Sequence, residues 1–407
     1  MLIIPRQFPC SAEGSLKDFL TLLWRRELVR GEMIEKYEKE FAACVGAKYA
    51  FSLSSARLGL YILLKVMKIK EGDDVILPSF TCPVVPSIVE ALGANPVFVD
   101  SDPESFNIDA SGLERCITNN SKAIIATHIE GMPCDMDEIN RIAKKYKIKV
   151  IEDCAQAFGA KYNGKNTGTL GDAAYFSFGI GKQINTMGGG MILTDDDNIA
   201  GLLREEIKNY KYPGCISVIK KYVYQSVVDA FLKFKLFNIF VYPVILLSNI
   251  AGKDLITVLF EDSGSVKNLP AYKTKYSNLQ AAFGSKRLKD ILADNLIRIR
   301  NAEYISALIG NSINHQKGTK EAGSVYWYYS LVYKNRKKLK LSLLFKGIDT
   351  QESWNVACNL KPIFKKYYKP CPVAERLERE VLYIPIYPRL SSEELVYITD
   401  NLIKAVQ

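Results

Sequence analysis

KVIEDCAQAFGA at residues 149–160 and GDAAYFSFGIGKQINTMGGGM at residues 171–191 are the stretches whose reading decides the fold. Each opens on a short apolar strand that ends on a polar residue, Asp153 in the first and Ser177 in the second. A carboxylate at the carboxyl end of a parallel strand lies where such sheets bind ligands. Lys182 follows in Gly179-Ile180-Gly181-Lys182, a glycine-punctuated turn rather than a solvated helix face. Taken singly, a lysine among glycines is a surface turn and an Asp after a buried strand is a helix cap. The ordered set Asp153, Gln156, Ser177, Lys182 is far more specific.

Outward from this stretch the pattern repeats. Short apolar runs bounded by turn residues predict strands over Ala50–Leu53, Asp74–Pro78, Pro96–Asp100, Ala123–Thr127 and Met191–Thr194. Ile34, Tyr37, Phe41 and Val45 recur at helical spacing within Gly31–Val45. Helices also fit Ser54–Lys68 and Met136–Tyr146. Apolar strands alternating with helices indicate an α/β fold with a largely parallel sheet covered on both faces. Beyond it, helix-like Ser277–Ala293 leads to strand-like Tyr326–Tyr333 and Glu380–Ile386 and a last helix over Ser392–Val406.

Composition narrows the chemistry. The chain of 407 residues is 48% hydrophobic and 24% charged, which excludes a disordered, collagenous or polytopic membrane protein. Nine cysteines at irregular spacings form no CxxC, so neither a zinc site nor a disulfide framework is expected. With only His128 and His315 present, histidine-rich metal sites and histidine triads are disfavoured. Proton transfer then falls to lysine, aspartate or a cofactor. No signal peptide is visible in the first residues, and a cytoplasmic location is expected. The turn Ser54-Ser55-Ala56-Arg57 joins a strand to a helix, whose first N–H groups and dipole form an anion site. Plain serine capping is the alternative there.

The sequence resembles the DegT/DnrJ/EryC1/StrS sugar aminotransferases, within fold type I of the pyridoxal phosphate enzymes. The resemblance rests on the two opening stretches together with THIEGMPCDMDEI at 127–139, GDDVILPSFT at 72–81, YSNLQAAFGSKRL at 276–288 and IPIYPRLSSEEL at 384–395. It implies a large α/β domain over 1–206, interrupted by an insertion over 207–262, then a linking helix and small C-terminal α+β domain over 263–407. It implies pyridoxal phosphate held by Lys182, with Asp153 on the pyridine nitrogen, Gln156 near the ring hydroxyl, and Ser177, Ser55 and Ala56 at the phosphate. The lysine needs a lowered pKa to act as a nucleophile. The implied reaction moves an amino group from an amino acid, often glutamate, to a nucleotide-linked keto sugar, in a homodimer with shared sites and with no nucleic-acid partner. Relatives that dehydrate sugars carry His at the position of Lys182, so transamination is favoured over dehydration.

Three departures stand out. Arg57 replaces a hydroxyl residue and either contacts the phosphate or points away. Cys82 stands where an aromatic stacks on the cofactor, leaving Phe80 to supply a ring. Lys273-Thr274-Lys275 aligns with an Asn-Tyr-Arg that reaches the neighbouring subunit's phosphate, and lysine lacks the planar fork of arginine. These departures motivate a rival reading, a non-catalytic membrane-associated member of the fold. His128 is either near the sugar or a satisfied structural residue. Trp327 and its tyrosine neighbours are read as a packed strand before substrate contacts.

The net charge of +10 is unevenly spread. Ile207–Lys253 holds seven lysines against Asp229 alone, six of the ten excess charges, next to an uncharged run over Leu236–Ile250. At 15 residues that run falls short of the roughly 20 that span a bilayer. A packed helical hairpin, a membrane-surface element at the inner face of the membrane, and a substrate lid or partner site are the three readings of this segment.

Overall fold

The computed structural model describes residues 2–8, 15–233, 236–254, 266, 273–310 and 312–406. Seven strands make the main sheet: β1 (Tyr49–Leu53), β2 (Asp74–Pro78), β3 (Asn95–Val99), β4 (Ser121–Thr127), β5 (Lys149–Asp153), β6 (Ala173–Ser177) and β7 (Gly190–Thr194). Their order is β1-β7-β6-β5-β4-β2-β3. β3, β2, β4, β5 and β6 run parallel, and β7 is antiparallel to both of its neighbours. All seven expected strands form, Asp74–Pro78 and Lys149–Asp153 to the residue and the others with ends shifted by one or two. The sheet is buried on both faces, since Ile76, Ile124, Ile125 and Ile151 have no exposed surface. Each such side chain contributes roughly 1.5–3 kcal/mol on burial, so the continuous apolar runs are themselves the driving force for the sheet.

Each helix has a local cause. Asp135 accepts from Glu138 N–H and opens Met136–Tyr146, and Ser55 caps Ala56–Val66 in the same way. The linking helix begins as expected but runs over Asn278–Ile309, well past Ala293. Its buried face changes there from apolar to polar: Asn295, Arg298 and Asn301 are buried and hydrogen-bonded. Hydrophobic periodicity is blind to a buried polar stripe. The C-terminal domain holds a four-stranded sheet of Asn314–His315, Tyr329–Val332, Val381–Ile384 and Gln351–Glu352 in that spatial order. The strand expected from Tyr326 starts only at Tyr329, because Val325 and Trp327 give their N–H groups to Gly131 and Glu130 of the large domain.

The inserted segment is helical. Cys215–Lys233 is followed by a π-helical turn over Phe237–Val241 and a helix over Tyr242–Ile250. The two arms are bent by 86°, and no single helix among the described residues is long and apolar enough to cross a membrane. Val218 and Tyr222 pack with Phe19, Leu279 and Phe283, while Phe237, Tyr242 and Ile245 pack on Leu344. The pair therefore lies on the enzyme body, as the packed-hairpin reading expects. The expected boundary at 262/263 lies outside the described residues.

The glycine run before β7 has a steric reason. Gly189 sits at φ +117, and an added Cβ would strike the Tyr276 ring. An alanine there costs about 1–3 kcal/mol for the backbone conformation alone. Gly189→Ala is expected to lower the urea midpoint accordingly, and an unchanged midpoint would contradict this close packing.

Candidate active site

The carboxyl ends of β5 and β6 bring the functional residues together. Lys182 lies in the turn after β6, where its N–H donates to Gly179 O at 3.1 Å. Its ammonium is 3.8 Å from the centre of the Trp327 ring. Among the described residues it makes neither a salt bridge nor a hydrogen bond. Burial pushes its pKa below the ordinary lysine value, while Cys82, Asp153 and Glu130 pull the other way. Asp153 is 4% exposed. Its Oδ1 accepts from Ala155 N–H at 3.0 Å. Burial raises its pKa, against the Tyr175 hydroxyl, the Ala155 N–H and the charge of Lys182. Tyr175, its cross-strand partner, turns a buried hydroxyl toward it that finds no other hydrogen-bond partner among the described residues.

Behind this pair stands a buried polar network. Gln156 accepts from Glu130 N–H at 2.8 Å and donates to Asn355 at 3.2 Å. Asn355 donates to Glu130 Oε1 at 2.8 Å, and Tyr383 donates to the same oxygen. Glu130 Oε2 is buried with no partner among the described residues. Glu130 also holds a left-handed backbone at φ 54, which costs a non-glycine residue on the order of 1 kcal/mol or more. Burial raises its pKa to about 7, opposed by Tyr383, Lys182 and Asn355. Neither Glu130, Asn355 nor Tyr383 was singled out from the sequence. The motif THIEGMPCDMDEI contains Glu130, but nothing local signals its contacts, which lie 225 and 253 residues away.

A second corner gathers the phosphate candidates. Ser55 Oγ accepts from Leu58 N–H at 3.2 Å. The hydroxyl is therefore a helix cap, as the alternative reading held, and the first-turn N–H groups remain the anion donors. Gly190 faces Ser177 across the β6–β7 ladder. A Cβ on Gly190 would lie 2.6 Å from Ala56 N, so glycine lets the helix start press on the sheet beside Ser177. A cavity of about 750 Å³ adjoins these corners, lined by Lys182, Gln156, Cys82, Arg57, Trp327 and Asn355 among others. Arg57 thus faces the cavity rather than away from it.

Two aromatic expectations change. Phe80 is fully buried, paired with Ala357 and packed in the core, and does not line the cavity. Trp327 presents a ring to the cavity: it precedes the strand, donates from Nε1 to Gly181 O at 2.8 Å and covers Lys182. His128 is structural. Its Nδ1 accepts from Cys134 N–H at 3.0 Å, which leaves the proton on Nε2 for Glu152 at 3.0 Å. Lys273 lies over the Tyr61 ring and Lys275 over the Tyr212 ring, neither on the cavity wall of its own chain. The N-terminal segment, silent in the sequence, brings Arg6 to the cavity. Arg6 is fixed by Asp349 through two bonds of 2.8 Å across 343 residues.

A half-buried lysine that makes no salt bridge among the described residues, a buried carboxylate and a helix start pressed beside Ser177 fit the needs of pyridoxal phosphate. Lys182 would hold its aldehyde, Asp153 its ring nitrogen, and Ala56 with Ser177 its phosphate.

The chain belongs to the DegT/DnrJ/EryC1/StrS aminotransferase family, matched over residues 9–403. It is a pyridoxal phosphate-dependent sugar aminotransferase. It is 30% identical over 378 residues to a GDP-perosamine synthase of Escherichia coli O157:H7, covering 92% of this chain and 90% of that protein. It is 31% identical over 375 residues to a dTDP-3-amino-3,6-dideoxy-alpha-D-galactopyranose transaminase of Aneurinibacillus thermoaerophilus, covering 91% and 90%. The fold matches a putative sugar aminotransferase from Streptococcus pneumoniae solved in its PLP form, with a TM-score of 0.77, 20% identity and coverage of 100% and 99%.

Glu130 yields a pH prediction. Its folded pKa lies above its ordinary value of 4.5, so the fold favours the protonated acid. That contribution is complete below pH 4.5 and is lost as pH rises through about 7. The melting temperature of the wild type is expected to fall from pH 5 to pH 8 more steeply than that of Glu130→Gln. Equal slopes would contradict a buried, protonated Glu130.

Proposed function

We propose that this protein transfers an amino group from an amino acid, glutamate in the first instance, to the ketone of a nucleotide-linked sugar. The observation that carries this reading is the enclosure of Lys182. Desolvation favours its neutral amine. A neutral amine would hold the cofactor aldehyde and, once released, would be placed to accept the α-proton of the donor. Bound pyridoxal phosphate would supply the electron-withdrawing ring that takes up the electron pair left by that proton. Asp153 would hold a proton on the ring nitrogen and keep the ring electron-poor. Trp327 covers the Lys182 amine. Gln156 and Asn355, tied together through Glu130, orient the wall against which the substrate rests.

The carrier is read as a nucleotide from the two relatives, whose names specify GDP- and dTDP-linked sugars. Arg57 and Lys361 on the cavity wall are suited to a diphosphate. The proposal includes a homodimer in which Lys273 and Lys275 approach the partner's cofactor phosphate. Support comes from their ammoniums, which rest on tyrosine rings and make no salt bridge among the described residues.

Lys182→Ala is expected to reduce keto-acid release from glutamate and a nucleotide keto sugar by about 10²- to 10⁴-fold. Cofactor content, read after acid release, should fall much less if the phosphate corner supplies most of the binding. Sugar turnover by the wild type without equivalent consumption of amino acid would point to dehydration and overturn the transfer reading.

A further inference from the structure

The inserted helices are apolar on two opposite sides. Their inner sides pack on the body through Val218, Tyr222, Phe237, Tyr242 and Ile245. On the outer side of Cys215–Lys233, Ile216 and Val223 are 71% and 51% exposed and lie two helical turns apart, with exposed Lys220 between them. The second arm repeats the pattern with Ile239, Phe240, Val244, Leu247 and Ile250, 46–68% exposed. A helix facing water should carry polar residues on its outer stripe, and one that is apolar all round calls for cover on both sides. The two stripes flank a bend of 86°, with Phe240 at the elbow against Phe231.

Charge identifies the cover. Lys211, Lys220 and Lys253 are exposed on the same segment. A second copy would bring the same patch, whose one acid between residues 207 and 253 is Asp229, and so would offer the lysines few counter-charges. An anionic lipid surface instead offers acyl chains to the stripes and phosphates to the lysines. Spanning is excluded because the inner side of each arm is held by the body. Tyr224 and Val227 line the cavity that holds Lys182. We propose that the helix pair Cys215–Ile250 docks this enzyme in the plane of an anionic bilayer, with the mouth of the cavity at the lipid surface. This inference does not depend on the reaction catalysed.

The test is flotation of the holoenzyme with phosphatidylglycerol–phosphatidylethanolamine vesicles and with phosphatidylcholine vesicles. The expected result is flotation with the anionic vesicles, weakened by raised salt and reduced about tenfold on the neutral ones. The variant I239N/F240N/L247N, outside the cavity, should lose flotation about tenfold while keeping its soluble activity and its mass by light scattering. No flotation of the wild type, or equal flotation of the variant, would overturn the proposal. So would a wild-type oligomer that the variant splits, which would assign the stripes to a second copy. A charge-reversed variant, K220E/K253E, keeps the test decisive if the triple variant fails to fold: it should float several-fold less, and unchanged flotation would count against the proposal.

Discussion

The site depends on holding one half-buried lysine at a cavity wall without a salt-bridge partner among the described residues. Lys182 is enclosed by Trp327, Cys82, Asp153 and Glu130, and desolvation outweighs the pull of those acids. The same burial raises Asp153 and Glu130. Isolated charges are expensive to bury, and groups in such places shift their pKa instead. Such a cluster is tolerated because the sheet around it is packed from residues with no exposed surface. The large domain thus supplies the stability, and the strand ends carry the electrostatic cost. A ligand that accepts the lysine, and offers a proton to Asp153, relieves both.

Much of this was legible in the sequence because it is local. The strands are continuous apolar runs, the caps are single residues, and Asp153, Gln156, Ser177 and Lys182 fall within one stretch. Long-range and buried polar features were not legible. Glu130 sits in a quoted motif, yet its partners Asn355 and Tyr383 come from the C-terminal domain. Arg6 reaches the cavity only because Asp349 holds it. Trp327 looked like part of a strand, but the backbone of Glu130 and Gly131 captures the chain before pairing begins. The long helix outran its apolar pattern because its inner face becomes polar at Asn295.

The insertion joins two properties that composition alone kept apart. Its inner side walls the cavity, which supports the lid reading, and its packing on the body matches the hairpin reading. Its outer side carries apolar stripes on a segment with exposed lysines. A surface that orders these helices would also order the wall formed by Tyr224 and Val227.

The central claim is that Lys182 is the residue that carries the cofactor. The most direct measurement is borohydride reduction of the purified holoenzyme, followed by proteolysis and mass mapping of the labelled peptide. The account predicts a single phosphopyridoxyl group on Lys182. A label on any other lysine, or no label with cofactor present, would contradict it.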